Sequence, residues 1–312
     1  MALAVKFDKR SLALTKARFR AWWEGEEFDA EAAAAALAAT AEVPAPAAND
    51  PDSELFEPEA LALPARLEAL TRLWGEGRLT PGDATAEALI PARLGMAPEG
   101  RLCVIGAGLA APVIALAGAH PGPIDAHEWR EESVVHLREG VRRAKLDDRV
   151  TIARIDLETH VFEPERFDGA VSFDDFGFCD EPTRLAHHLT RTLKPDACLL
   201  VEAYAGLPIP DIAPAFAAAF AEPQIRAAGD LAHFLIESGL KIESQEDVTE
   251  EHVAEARAGF KQLEGALKEA GALDLAAARE LAWETEAWRA RLRLLGAKRL
   301  ERVRILARRP AS

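Results

Sequence analysis

The sequence predicts an α/β protein with one mostly parallel sheet and helices on both faces, and three observations lead to this prediction. First, short apolar runs alternate with helical segments from residue 101 onward, as in β-α-β units. Second, the glycine turn Gly106-Ala107-Gly108 joins the first of these strands to a helix. Third, helical segments with apolar faces lie before and after this region, so helical additions are expected on either side of the sheet.

The elements of the sheet follow from the apolar pattern and from the glycines and prolines that interrupt it. Strands are predicted at 101–106, 123–128, 150–155, 168–173, 197–204, 240–245 and 299–308. Helices are predicted at 110–119, 131–145, 181–193, 211–221 and 228–238, and across 250–293 with a break at Gly271.

The segment before the sheet is predicted to be helical and interrupted by an Ala/Pro-rich linker. Its parts are a helix over 11–23 capped by Asp8, an alanine-rich helix over 30–40, a linker over 44–52, an amphipathic helix over 61–74 stopped by Gly75, and a short helix begun by Asp83. We therefore predict three regions, namely an N-terminal extension (1–95), the core (96–249) and C-terminal helices with a final strand (250–312).

Composition restricts the classes of function. The net charge of −15 and the pI near 5.1 disfavour a nucleic-acid partner. The arginine-rich stretch over 289–309 is interpreted as a helix and strand that face the acidic body. The apolar runs are too short for a membrane helix, and the N-terminus does not resemble a signal peptide, so a cytoplasmic protein without membrane contact is expected. The cysteines and histidines lack the spacing of a metal site, and Cys103 and Cys198 are predicted to be core residues.

The glycine turn alone is compatible with more than one interpretation. Gly-x-Gly-x-x-Ala fits the fingerprint of an NAD or FAD site, and Glu128 follows about 20 residues later, where a ribose-binding acid belongs. The same turn also occurs where a strand simply leads into a helix. The motifs that follow along the chain decide between these alternatives.

Glu128 ends the second predicted strand and Asp156 follows the third, while segments 166–174, 193–202 and 234–249 have the order of a fourth strand, a fifth strand and a later helix-Gly-strand unit. This order resembles the class I S-adenosylmethionine-dependent methyltransferases. The resemblance covers residues 101–205 and 228–249, about half of the chain. It implies a Rossmann-like fold and S-adenosylmethionine as the cofactor, and it is favoured over a dinucleotide oxidoreductase.

The resemblance also implies roles for individual residues. Glu128 would accept hydrogen bonds from the ribose hydroxyls, Asp156 from the adenine amine, and the backbone N–H of Leu157 would reach the ring. The full set of expected cofactor-binding residues is Gly106, Ala107, Gly108, Glu128, Trp129, Asp156, Leu157 and Phe173. The expected catalytic residues are Asp174, Asp175 and Tyr204, which follow the fourth and fifth strands, where acceptor contacts cluster. The alternative role of Trp129 is packing. The alternative role of Asp174 and Asp175 is to cap the following helix.

The loop departs from the family pattern at two positions. The first strand of the family carries an acid two residues before the first loop glycine, and its carboxylate helps to hold the methionine end of the cofactor. Val104 occupies that position here, and Ala110 replaces the third glycine. The departures predict weakened or lost cofactor binding, and Ala110 is expected to narrow the space beside the cofactor carboxylate.

Two functions follow, and a nicotinamide or flavin oxidoreductase is a third, weaker hypothesis. The first is a methyltransferase that acts on a small-molecule acceptor by direct methyl transfer, with helical additions over the acceptor pocket. The second is a non-catalytic methyltransferase-like protein that acts through a partner or another ligand. The additions contain five tryptophans that either line the pocket or fix the additions to the core, namely Trp22, Trp23, Trp74, Trp283 and Trp288. The helical additions are also the surface through which a homo-oligomer would form.

Overall fold

The computed structural model describes residues 63–206, 224–269 and 275–311, and it confirms the predicted α/β class. The strands are β1 (Leu102–Ile105), β2 (Ile124–Glu128), β3 (Val150–Arg154), β4 (Phe167–Phe173), β5 (Leu193–Gly206), β6 (Lys241–Asp247) and β7 (Leu300–Arg308). They form one sheet in the order β3-β2-β1-β4-β5-β7-β6. Strands β1 to β5 run parallel, whereas β7 is antiparallel to both β5 and β6.

The helices connect the strands and flank the sheet. They are α1 (Ala65–Trp74), α2 (Ala84–Ala88), α3 (Ile90–Arg93), α4 (Ala110–Ala119), α5 (Glu131–Arg143), α6 (Pro182–Thr192), α7 (Ala228–Glu237), α8 (Thr249–Glu269) and α9 (Leu275–Gly296). Helix α1 stops at Gly75, and the Asp83 carboxylate caps α2 by accepting from the backbone N–H of Thr85 and Ala86, both as predicted. No helix within these described ranges has the length and apolarity needed to cross a membrane.

The central strands of the sheet are buried on both faces because helices cover each of them. All four residues of β1 are buried, and successive side chains contact opposite layers. Leu102 and Val104 pack in an apolar cluster with side chains of α4 and α5, whereas Cys103 and Ile105 belong to a cluster that includes α6 and α7. The carboxyl ends of the central parallel strands therefore lie together at one edge of a buried part of the sheet.

A third apolar cluster attaches α1, α8 and α9 to the sheet. Trp74 of α1 packs edge-on against Trp288 of α9 and Phe260 of α8, with ring centroids 4.6 and 5.7 Å apart. The same cluster contains Leu109 from the loop after β1 and Tyr204 from β5. Trp74 and Trp288 thus fix these helices to the sheet, which is the packing alternative of the sequence analysis.

Strand β5 differs from its prediction because it begins at Leu193 rather than at residue 197. An irregularity in the pairing with β4 lets Phe167 pair with Leu193 and Gly169 pair with Cys198, so the expected helix end is drawn into the strand. Several predictions lie outside the described residues, namely the helices over 11–23, 30–40 and 211–221, the linker over 44–52, Trp22, Trp23 and the break at Gly271. The predicted last strand is present as β7 and lies inside the sheet.

The basic C-terminal stretch pairs with acidic side chains of the same body, which confirms its interpretation. Salt bridges join Arg302 to Asp174, Arg304 to Glu202, Arg308 to Glu243 and Arg309 to Glu165. Cys103 and Cys198 are buried with free thiols, as expected of core residues.

Candidate functional site

The glycine loop leaves β1 in a conformation that requires glycine. Gly106 has φ 72° and Gly108 has φ 63°, both in the left-handed region where a side chain is strained. A Cβ atom on Gly106 would overlap the carbonyl oxygen of Phe173 and would lie 2.8 Å from Asp175 Oδ1. The loop therefore approaches the end of β4 closely, and α4 begins directly after it at Ala110.

Glu128 at the end of β2 holds this loop. Its carboxylate accepts hydrogen bonds from the backbone N–H of Gly108 (2.5 Å), from the backbone N–H of Arg130 (2.9 Å) and from the Arg130 guanidinium (3.0 and 3.2 Å). The residue is fully buried. The sequence-predicted loop and acid are thus in direct contact.

Two rings and a guanidinium form a stack beside Glu128. The Arg130 guanidinium lies 3.8 Å from the centroid of Trp129 and 5.1 Å from that of Phe178. The two rings are 5.2 Å apart, and one atom of Trp129 lies 3.0 Å from the position of a Cβ on Gly106. Trp129 therefore packs against the loop in this conformation, next to the acid that is proposed to hold the ribose.

Asp156 and Leu157 follow β3, as predicted, but stand apart from the loop. The exposed Asp156 carboxylate accepts from the backbone N–H of Glu158 (2.9 Å) and Thr159 (3.1 Å), which forms a turn. Leu157 is buried in the apolar cluster that contains Phe162. Neither Asp156 nor Leu157 is among the described residues that line the cavity beside the loop.

A cavity of about 80 Å³ lies between the glycine loop, residues 78–87, the end of β4 and the start of β7. Phe173 and Asp174 contribute to its wall, as do all three residues of the turn at 106–108. Pockets that hold cofactor-sized ligands measure roughly 300–1,000 Å³. The cavity in this structure is therefore smaller than a typical pocket for a ligand of that size.

Charged residues from β4, β5 and β7 form a buried network in the cavity wall. Asp174 has φ 65°, and its carboxylate forms an ion pair with Arg302. Arg302 also lies 3.7 Å from Glu202, which accepts a hydrogen bond of 2.7 Å from Arg304. Although burial lowers the pKa of Arg302, the neighbouring carboxylates Asp174 and Glu202 raise it above its ordinary value. Asp174 is thus held at the cavity by a permanent cation.

Tyr204 lies behind this wall rather than in it. Its hydroxyl is 2.5 Å from Nε2 of His252, a cavity residue, and Nδ1 of His252 is 3.3 Å from Glu255. Burial, aided by the charge of Arg302, lowers the pKa of His252 to about 3, so the imidazole is neutral at pH 7. An ionised Glu255 can only accept, which places the ring proton on Nδ1 and leaves Nε2 to accept from Tyr204.

The remaining predicted residue, Asp175, is fully buried beneath the loop. Ser172 Oγ donates a hydrogen bond of 2.5 Å to its Oδ2, while Oδ1 accepts no hydrogen bond from any described residue. Burial raises the pKa of this carboxyl well above its usual range. Asp174 and Asp175 are therefore neighbours in sequence with different surroundings, one paired at the cavity and the other enclosed.

The two departures from the family loop face away from the cavity. Val104 is fully buried in the apolar cluster beneath α4. The methyl group of Ala110 occupies the space that a Cβ atom on Gly140 of α5 would need. The expectation that Ala110 narrows the ligand space is therefore wrong, because this methyl packs between two helices.

His127, which adjoins Glu128 in sequence, packs away from the loop in an apolar setting. Its ring meets Phe162 edge-on at 5.1 Å, and neither ring nitrogen has a hydrogen-bond partner among the described residues. Burial, with a smaller effect of His160, lowers its pKa to about 4. The geometry gives His127 no contact with the cavity.

We expect His127 to make the protein acid-sensitive. The pKa of His127 is lower in the folded state than in the unfolded state, so protonation favours the unfolded state. The folded protein therefore has its full stability above pH 6.5 and loses part of it as the pH falls toward 4. The loss amounts to about 3 kcal/mol by pH 4. Urea unfolding at pH 7 and pH 4.5 should show a smaller decrease for His127→Phe than for the parent. The exposed His187→Phe should retain the parent's decrease, and equal decreases in all three proteins would contradict this assignment.

Sequence reasoning missed several residues of the wall. Arg78 and Glu87 form a bidentate ion pair (2.6 and 2.8 Å) at the cavity, and burial raises the pKa of Glu87. His252, Arg302 and Arg304 also line the cavity. None of these five residues belongs to a sequence motif. His252, Arg302 and Arg304 reach the site because α8 and β7 fold back across the end of β5, whereas Arg78 and Glu87 come from the segment before β1.

Comparison with known structures shows that the chain has the fold of the class I S-adenosylmethionine-dependent methyltransferases. The [4+2]-cyclase SpnF superposes with a TM-score of 0.62 at 17% identity, covering 78% of this chain and 94% of SpnF. Phosphoethanolamine N-methyltransferase 2 of Haemonchus contortus, solved with S-adenosylmethionine, gives a TM-score of 0.65 at 21% identity and covers 78% of this chain. This chain spans 56% of the length of that protein.

Geranyl diphosphate C-methyltransferase of Streptomyces coelicolor A3(2), solved with Mg²⁺, a geranyl thiolodiphosphate and S-adenosylhomocysteine, gives a TM-score of 0.55 at 13% identity. It covers 72% of this chain, which covers 76% of that protein. No protein-family model and no curated protein matches the sequence. At these identities the similarity establishes the fold and leaves the reaction to the residues of the site.

Proposed function

We propose that the protein is an S-adenosylmethionine-dependent methyltransferase that acts on a small-molecule acceptor. One observation carries the proposal: the buried carboxylate of Glu128, at the end of β2, directly contacts the glycine loop that follows β1. The backbone N–H groups of the loop suit the carboxylate of an adenosyl amino acid. The adjacent carboxylate of Glu128 suits the hydroxyl groups of its ribose. Solved proteins of this fold with bound S-adenosylmethionine or S-adenosylhomocysteine support the choice of ligand.

The residues around the loop fit such a ligand in their chemistry. Gly106, Ala107, Gly108 and Phe173 would face its amino acid end, Glu128 and Trp129 its ribose, and Asp156 and Leu157 its adenine. When bound, S-adenosylmethionine supplies an electrophilic methyl group on a sulfonium. The protein's part is to align the acceptor and to exclude water. Among the predicted catalytic residues, Asp174 is placed best to accept an acceptor proton, because it lines the cavity, whereas Asp175 and Tyr204 lie behind the wall.

A non-catalytic or differently acting protein is the alternative, and two observations favour it. The cavity is small for a cofactor, and Val104 leaves β1 without the acid of the family pattern. The similarity to a [4+2]-cyclase also shows that this fold serves reactions other than methyl transfer. The oxidoreductase hypothesis is weakened, because β7 runs antiparallel between β5 and β6, unlike the strand order of dinucleotide-binding folds.

Calorimetric titration of the purified full chain tests the proposed function. We expect S-adenosylhomocysteine and S-adenosylmethionine to bind with one site per chain, and NAD to give no saturable heat. Failure of both adenosyl ligands to bind at millimolar concentration would overturn the proposal. Saturable NAD binding would restore the oxidoreductase hypothesis.

Ala110→Gly is expected to lower the free energy of unfolding by about 1 kcal/mol and to leave ligand affinity unchanged. Glycine has a lower helix propensity than alanine, and its introduction removes the methyl that packs at Gly140. Urea unfolding measures the first effect, and titration with S-adenosylhomocysteine measures the second. A clear gain in affinity would show that the methyl group does restrict the ligand.

A further inference from the structure

A buried carboxylate oxygen without a partner lies at the back of the glycine loop. Asp175 has no exposed surface, and its Oδ1 accepts no hydrogen bond from the described residues. This oxygen is 2.8 Å from the position of a Cβ on Gly106. Burial of a polar atom without a hydrogen-bond partner is unfavourable, so such an atom points to a partner that binds there.

Three other carboxylates near the cavity each have a cationic partner. These pairs are Glu128 with Arg130, Asp174 with Arg302 and Glu202 with Arg304. No described cationic side chain forms an ion pair with Asp175, and the hydrogen bond that its carboxylate receives from a described residue comes from the neutral Ser172 hydroxyl. Asp175 therefore differs from these three acids in its lack of a cationic partner among the described residues.

The surroundings of Oδ1 suit a small cation with several N–H groups. The Phe173 carbonyl oxygen also lies next to the position that a Cβ atom on Gly106 would occupy. Both Phe173 and Gly106 line the cavity. The half-buried ring of Trp129 covers this point at 3.0 Å. An ammonium donates three hydrogen bonds and accepts none. The two oxygens of Asp175 and Phe173 are therefore suitable acceptors for it.

We propose that Oδ1 of Asp175, together with the Phe173 carbonyl oxygen, binds the ammonium of the amino acid end of an S-adenosyl ligand once Trp129 moves off Gly106. The inference rests on the proposed function. The N–H groups at the start of α4 suit the carboxylate of the same amino acid end, which brings its ammonium toward the end of β4. Asp175 thereby supplies, from the loop after β4, a negative charge that Val104 of β1 does not offer.

The raised pKa of Asp175 agrees with this role. Without a cation, burial favours the neutral carboxyl, and an arriving ammonium stabilises the ionised form. In the absence of ligand the buried carboxyl is neutral, which limits the cost of its burial. It forms an ion pair only in the complex with the ligand.

The test compares two ligands that differ only at the amino acid end. S-adenosylhomocysteine carries the ammonium, whereas 5′-methylthioadenosine has the same adenosine and thioether without it. We expect Asp175→Asn to weaken S-adenosylhomocysteine binding about ten- to a hundredfold, as the loss of a charge-assisted hydrogen bond implies, and to leave 5′-methylthioadenosine within about twofold. Glu284→Gln, a matched change of a buried carboxylate on α9, should alter neither affinity.

The outcomes separate the inference from the proposed function. If the parent binds both ligands and Asp175→Asn changes both affinities equally, or neither, Asp175 does not bind the ammonium, while the proposed function stands. If the parent binds neither ligand, both proposals fail. Asp175→Ser, which keeps a small polar group near Ser172, repeats the comparison if the asparagine variant does not fold, as judged by circular dichroism.

Discussion

Glu128→Gln is expected to weaken S-adenosylhomocysteine binding at least about a hundredfold, because two charge-assisted hydrogen bonds to the ribose would be lost. The variant should also lower the free energy of unfolding by about 1–3 kcal/mol. The carboxylate accepts three sets of hydrogen bonds inside the protein, and an amide places an N–H group against donors of Gly108 or Arg130. Calorimetry and urea unfolding measure the two effects separately.

Asp125→Asn is the matched control for this variant. Asp125 lies on the same strand and is buried, but its carboxylate pairs with Arg101 (2.6 Å) and Arg166 (2.8 Å) rather than with the loop. It should lose comparable stability while keeping the parent's affinity. If Glu128→Gln binds as tightly as the parent, Glu128 does not contact the ligand. If both variants lose affinity equally, the loss reflects the stability of β2.

Strands β1, β2, β4 and β5 were predictable because each contains a short buried run bounded by turn residues, and a parallel sheet buries both faces of such a run. The placement of β7 was not. It forms antiparallel pairs with β5 and β6, and local sequence carries no information about which distant strand a segment joins. The early start of β5 at Leu193 likewise depends on a pairing irregularity with β4.

The contact between Glu128 and the glycine loop was predictable for a related reason. Residues that directly follow parallel strands meet at one edge of the sheet, so the order of motifs along the chain is enough. The partner of Asp174 could not be found this way, because Arg302 lies 128 residues further along. The different fates of Asp174 and Asp175 also depend on which side of the chain each carboxylate points to, which sequence alone does not state.

Similarity of fold does not identify the acceptor, so the residues of the cavity wall are the ones to test. Proteins of this fold include a phosphoethanolamine methyltransferase, a geranyl diphosphate methyltransferase and a [4+2]-cyclase. Those differences arise from side chains around a shared sheet. In this chain the wall contains three ion pairs, Arg78 with Glu87, Asp174 with Arg302 and Glu202 with Arg304, so variants of these residues test both the site and the stability of the protein.

Arg302→Met is expected to lower the free energy of unfolding by about 3–5 kcal/mol, because Asp174 would remain buried without its cation. Adding Asp174→Asn should recover part of this loss, since the uncompensated charge is then removed. Arg308→Met is the control on the same strand. That arginine is partly exposed and pairs with Glu243 at 3.5 Å, so its loss should stay below about 1 kcal/mol. Urea unfolding of the four proteins decides the matter, and equal losses for the two arginine variants would show that the buried pair contributes no more than a surface pair.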